Sequence, residues 1–205
     1  MYSTSRISKI IFAVLGVIAV VLLLVLISSI KNLFSPSFKI NLSSQSVVTQ
    51  IQSLDRLETT SFTIEKVIDG GTNYNAVQQF LVGDKILLIA HGTVIAGFDL
   101  KSLTTKDVTV TGQDVEVRLP APVILTTTLD NNQTRVYNRQ QGLLNHGDAN
   151  LESNVRQAAE KSIHDAACQE GILNTAAENG RKQFTGLLKA FGFQSITIVI
   201  PNGSC

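Results

Sequence analysis

Two cysteines, three histidines and sixteen acidic residues are the side chains of this 205-residue sequence with the widest chemical reach. Their spacing limits what they can do. His164 and Cys168 stand four apart in a stretch of helical periodicity, so they share a face and offer two metal ligands, where zinc needs four. His91 and His146 fall in predicted turns, where a solvated imidazole is the ordinary reading. Asp69-Gly70-Gly71-Thr72-Asn73 sets oxygen ligands at alternating positions, but Phe80 occupies the place of the bidentate acid of a calcium loop. Asp130-Asn131-Asn132 fails in the same way, with Gln141 at that place. Glu160 and Asp165 flank His164 as a helix surface would. The sequence has no G-x-S-x-G elbow, phosphate-binding loop, G-x-G-x-x-G, H-E-x-x-H or C-x-x-C. No catalytic, cofactor-binding or metal-binding residue is assigned, and no cofactor is implied.

Cys168 and Cys205 are the only cysteines. Bonded to each other they would close a loop of 37 residues, and chain entropy allows such a link up to about 4 kcal/mol of stabilisation. The alternative is a buried helix thiol and a frayed terminal one, because Cys205 follows Pro201, Asn202 and Gly203. A bridge requires an oxidising compartment. Asn41, Asn132 and Asn202 begin glycosylation acceptor triplets, which matter only in a eukaryotic secretory route.

The elements that must position these residues begin with a hydrophobic one. Residues 10–27 have no polar side chain, and Ser28, Ser29 and Ile30 extend the run to Lys31. Roughly 21 helical residues reach about 31 Å, the thickness of a bilayer's hydrocarbon core. The run is too long for a signal peptide and lacks an A-x-A-like cleavage site. It reads as an uncleaved, single-pass anchor over 10–30, after a short basic tail over 1–9. The first 54 residues contain no acid and only Arg6, Lys9, Lys31 and Lys39 as cations. A short basic tail, a span and a large C-terminal part imply a cytoplasmic N-terminus and an extracytoplasmic domain. Residues 31–46, with Pro36 and five serines, read as a linker.

After residue 54, thirteen Lys and Arg face sixteen Asp and Glu. No clustered basic surface for nucleic acid is expected. Residues 47–205 suffice for one soluble domain with a core of its own. Val47, Val48, Ile51, Leu54 and Leu57 fit a short helix, and Thr59–Ile68 a half-buried strand ending in an Asp69-Gly70-Gly71 turn. Asn75–Val82 predicts a helical turn carrying Val77, Phe80 and Leu81. Lys85–Ala90 and Thr93–Phe98 predict a hairpin about His91-Gly92. Strands follow over Val108–Thr111, Val115–Leu119 and Val123–Leu129, with a bend at Pro120 and Pro122. Asp130-Asn131-Asn132 predicts a reversal that pairs Thr134–Tyr137 back onto the preceding strand. Leu151, Val155, Ala158, Ile163 and Ala166 predict a helix up to Gly171. Leu173, Ala177, Phe184, Leu187, Leu188 and Phe191 predict another up to Gly192, with Thr175 and Glu178 as a capping box unless the helix starts at Gly171. Ser195–Ile200 alternates as a last strand rejoining the sheet. The fold class is α+β, a mostly antiparallel sheet covered by two C-terminal helices plus a final strand.

Several stretches together resemble a known family. Ile51–Glu58 (IQSLDRLE), Ile86–Leu100 (ILLIAHGTVIAGFDL) and Val115–Leu125 (VEVRLPAPVIL) carry the likeness, continued by Val136-Tyr137, Gln141-Gly142-Leu143, Gly171-Ile172-Leu173, Ala177-Glu178-Asn179 and Gly192-Phe193. They resemble the bacterial family of unknown function numbered 4230, over nearly all of the soluble part. Gly180 departs from the alanine a helix would prefer. The resemblance implies a membrane-anchored bacterial protein and brings no activity. The order of anchor, β-rich middle, paired helices and last strand is also similar to band-7 (stomatin-like) domains, by architecture alone.

The sequence thus favours a non-enzymatic interaction or assembly module at the bacterial plasma membrane. Its partners are the bilayer, through the N-terminal helix, and either another membrane protein or a second copy of the chain. An exposed apolar patch is what that reading requires. The alternatives are a lipid or small-ligand binding domain, with a pocket between sheet and helices lined by Phe184 or Leu188, and a membrane-tethered enzyme with an unrecognised site.

Overall fold

The structure is a computed structural model that describes residues 18, 21–25 and 43–205. The chain divides into two units, 1–40 and 41–205. In the first, Ile18 and residues 21–25 are helical and exposed. Among the described residues no helix is long and apolar enough to cross a membrane. The tail expected over 1–9, most of the anchor expected over 10–30 and the linker up to residue 42 lie outside the described residues.

The second unit opens with α1 (Ser44–Gln52), three residues before the expected domain start, because the Ser43 hydroxyl accepts from the Ser46 amide and caps it. Two long strands follow, β1 (Arg56–Gly71) and β2 (Asp84–Asp99), joined by the short helix α2 (Ala76–Val82). They pair antiparallel over their whole length, from Arg56 opposite Asp99 to Gly71 opposite Lys85. The Asp69-Gly70-Gly71 turn and the His91-Gly92 hairpin are therefore both corrected. Asp69 to Gly71 complete β1, and His91 and Gly92 sit in the middle of β2. A Cβ on Gly92 would stand 2.8 Å from Cδ1 of Ile163, so this glycine marks a close helix approach and not a turn.

Strands β3 (Val108–Thr111), β4 (Asp114–Arg118), β5 (Val123–Leu129) and β6 (Arg135–Gln141) complete the middle of the chain. The reversal expected at Asp130-Asn131-Asn132 does not occur. Both β5 and β6 run antiparallel to β2 and lie end to end along its free edge, β5 against Gly92–Gly97 and β6 against Asp84–Ile89. Buried Thr134 holds the junction, its hydroxyl accepting from the His91 amide and donating to the His91 carbonyl.

Helices α3 (Leu151–Gln169) and α4 (Ile172–Ala190) are separated by Gly171 at φ 78°, and α4 ends before Gly192 at φ 94°. These left-handed positions suit glycine. Since α4 starts at Ile172, Thr175 and Glu178 lie inside it and form no capping box. Strand β7 (Ser195–Val199) pairs parallel to β4, in a second sheet of order β3-β4-β7. The final strand thus joins a separate small sheet. The fold is α+β with mostly antiparallel pairing, two C-terminal helices and a last strand.

The core has two apolar clusters. In the first, α3 and the start of α4 cover the inner face of β2, with Ala159 rather than Ala158 turned inward. In the second, α1, Phe98, Phe184 and Leu188 pack with the small sheet. Phe98 and Phe184 meet edge to face at 6.1 Å between ring centroids. Gly180 makes room for this contact, since a Cβ there would stand 2.3 Å from Cε2 of Phe98. Gly180→Ala gains about 1 kcal/mol of helix propensity but overpacks the core, a cost of about 1–3 kcal/mol. A net loss of stability is expected in chemical denaturation, and a higher midpoint would contradict this packing account.

Candidate functional site

The feature that separates this surface from an ordinary one is the tip beyond the β1–β2 ladder. Residues 72–83 contain no charged side chain, and residues 140–147 contain only His146. Within these two segments Tyr74, Val77, Phe80, Leu81, Val82, Leu143 and Leu144 are exposed, Val77 at 68% and Leu143 at 72%. The sequence expectation that Val77, Phe80 and Leu81 mark a helix is met by α2, but α2 has no buried residue. Its apolar side chains face outward.

The two segments are joined through the backbone. The Gly142 amide donates to the Gly83 carbonyl, Leu143 to Phe80 and Leu144 to Leu81, at 2.8 to 3.0 Å. Nδ2 of Asn145 donates to the Val82 carbonyl at 2.8 Å. At the other end of α2, the Asn75 side chain accepts from the Gln78 amide. The carbonyls that a short helix leaves orphaned at its C-terminus are all taken. Gly142 is needed for this closeness, since a Cβ there would stand 2.6 Å from the Leu81 backbone.

At the base of the tip a buried carboxylate pairs with an arginine that stays partly in solvent. Asp84 is 2% exposed, and Arg139 donates to both carboxylate oxygens, Nε at 3.1 Å and Nη2 at 2.8 Å. Asp84 also accepts from the Asp148 amide, while its carbonyl takes the Thr72 amide. One residue therefore ties β1, β2, β6 and the approach to α3. The Arg139 hydrogen bonds hold the Asp84 carboxyl below the usual carboxylate range, with the Asp148 amide adding to them against the opposing effect of burial. Beside it is a cavity of about 370 Å³ lined by Ile68, Gly70, Asp84, Asp148, Leu151 and Val155, among others.

The polar residues singled out in the sequence lie elsewhere and stay apart. Nδ1 of His164 is 3.9 Å from Sγ of Cys168 and 3.3 Å from Asp165, whose other oxygen takes Lys161 at 2.6 Å. His164, Asp165 and Lys161, with Glu160 and Thr127, line an open depression of about 330 Å³. Cys168 is bonded to Cys205, with Cα atoms 6.2 Å apart, so its sulfur is not a free ligand. His91, placed in a turn by the sequence, pairs in mid-strand with Glu65 at 2.9 Å. Asp69 ends β1, and Asp130 caps its own loop by accepting from Gln133 and Asn132. Among the described residues no group of three or more metal-binding side chains comes together. Phe184 and Leu188, proposed as pocket lining, are fully buried core residues. The sequence reading missed the tip as a site. Its signal was the pair of charge-free runs.

Because the folded Asp84 has a depressed pKa, its contribution is fully present above about pH 4 and is lost as pH falls through the folded value. Asp84→Asn should cost about 2 kcal/mol at neutral pH through weakened charge-assisted hydrogen bonds. It should also flatten the acid side of the stability profile. Denaturation midpoints from pH 7 to pH 3 check both, and an unchanged acid slope would remove Asp84 from this role.

The family model described as "Protein of unknown function (DUF4230)" matches residues 49–198. No curated protein and no solved structure matches the chain. The likeness to band-7 domains draws no support from these comparisons. The match runs from within α1 to β7 and takes in the tip, the first core cluster and all of the second but Val47 and Val48, so the chain belongs to the DUF4230 family of proteins of unknown function.

Proposed function

We propose that this protein is a non-enzymatic contact module, tethered to the bacterial plasma membrane, that works by presenting an apolar surface to a partner. The observation that carries this reading is the charge-free tip. Its exposed side chains belong to two segments locked together by backbone hydrogen bonds, so the patch is built and not frayed. The acids with shifted pKa, by contrast, have structural partners: Asp107 with Thr104, Asp130 with Gln133 and Asp84 with Arg139 at loops and strand ends, and Asp165 with Lys161 one helical turn away.

The tether in this reading is the apolar run over residues 10–27, as a single span with a cytoplasmic N-terminus. An extracytoplasmic domain agrees with the Cys168–Cys205 bond, which an oxidising compartment preserves and the cytoplasm does not.

One labelling experiment tests topology and redox state together. In intact cells a membrane-impermeant maleimide should modify the Ser35→Cys variant, while the native chain stays unlabelled until it is reduced. Labelling of Ser35→Cys only after lysis would reverse the orientation. For the bond itself, reduction should lower the stability of the purified protein by up to about 4 kcal/mol, the chain-entropy value for a 37-residue loop. Equal denaturation midpoints with and without reductant would show that the bond does not constrain the unfolded chain.

A further inference from the structure

We propose that the tip formed by α2 and the 142–145 loop enters the interfacial layer of the bilayer that holds the chain's own N-terminal segment. This inference rests on the membrane-tethered reading above and names the partner of the same surface. Three observations separate a bilayer from a protein as the occupant.

The first is the absence of charge. Protein partners are oriented by complementary charges at the rim of an interface, and those charges also exclude wrong partners. The tip has no Asp, Glu, Lys or Arg over 72–83 or 140–147. Its exposed polar side chains, among them Asn73, Asn75 and Gln78, are uncharged, so it lacks the charges that set a docking register, and a bilayer requires none.

The second is the backbone. In water the last carbonyls of α2 could be hydrated without cost, but in lipid each unpaired one is expensive. Here the Phe80, Leu81, Val82 and Gly83 carbonyls all accept hydrogen bonds from residues 142–145. The carbonyls at the C-terminal end of α2 are thus satisfied beside exposed apolar side chains.

The third is the choice of side chains. Phe80, Val77, Leu143 and Leu144 project as bulky apolar groups, and Tyr74 adds an aromatic ring with a polar end, the type enriched at membrane interfaces.

The test uses the full chain in lipid nanodiscs of phosphatidylethanolamine and phosphatidylglycerol. An environment-sensitive nitrobenzoxadiazole label is placed on Leu22→Cys, Leu143→Cys or Thr109→Cys without reductant, so that the bonded Cys168 and Cys205 stay silent. Thr109 is exposed on β3, outside both tip segments. The expected result is blue-shifted emission at 22 and 143, lost on adding doxyl-labelled lipid, and water-like, unquenched emission at 109. Adding Phe80→Asp and Leu144→Asp to the Leu143→Cys variant should abolish the quenching there. Quenching at 22 but water-like emission at 143 would overturn the inference and leave the tether standing. A blue shift at 143 that lipid quencher does not touch would assign the tip to a protein partner or a second copy, and overturn it equally. No quenching at either 22 or 143 would remove the membrane reading itself.

Discussion

The register of β2, shifted at one point against each of β1, β5 and β6, is the constraint on which the rest of this domain depends. Its sixteen residues use both edges, β1 along the whole of one and β5 followed by β6 along the other. Its inner face alternates Ile86, Leu88, Ala90, Gly92, Val94, Ala96 and Phe98, all buried. The small residues of this series are as important as the large ones. Gly92 lets Ile163 of α3 come down onto the strand, and Gly180 of α4 lets Phe98 rise against the helix. A slip of one residue would turn Leu87, Ile89 and His91 inward and bring bulk to the positions where helices need space.

That register also decides where polar groups can be spent. At one end of β2, Asp84 is the buried acid, and its partners arrive from β6 and from the approach to α3. Burying its carboxylate costs desolvation that offsets much of the attraction to Arg139, so the net stability of the pair is modest. What it does give is position: the chain leaving β1, the start of β2 and the end of β6 are held within hydrogen-bond distance of one residue. The tip grows from that clamp. With its base fixed, α2 can hold seven residues of helix that bury none of their side chains, a length far below what a free helix sustains in water.

Much of the architecture was legible because burial imposes periodicity. The two C-terminal helices, their separating glycines and most strand positions follow from apolar spacing alone. The failures came where a residue type has two physical meanings. Gly92 and Asp130-Asn131-Asn132 were read as chain reversals, but glycine also serves close packing, and a polar loop can interrupt a strand without turning it. The pairing of β7 with β4 could not be read at all, since a parallel partner 81 residues away leaves no local pattern. Val77, Phe80 and Leu81 were seen as a helical face, yet periodicity cannot say whether such a face meets a core or the outside. The absence of charge on both tip segments was the missing clue. Solvent-facing turns usually carry Asp, Lys or Glu, and here they do not.

The distribution of satisfied and unsatisfied surface argues for contact as the way this protein acts. Asp84, Asp107, Asp130 and Asp165 each have a folded-state partner that lowers their pKa. Each of those contacts closes a loop, caps a turn or joins neighbouring turns of a helix. Such carboxylates are held ionised at neutral pH, where a general acid would instead have to keep its proton. The apolar side chains of the tip show the opposite pattern: the last carbonyls of α2 are paired with residues 142–145 while the side chains themselves remain in the open. Folding has matched these carboxylates internally and left the hydrophobic side chains of the tip in water. Free energy still to be gained therefore lies in removing that tip from water, and binding through it is the step by which the domain can gain it.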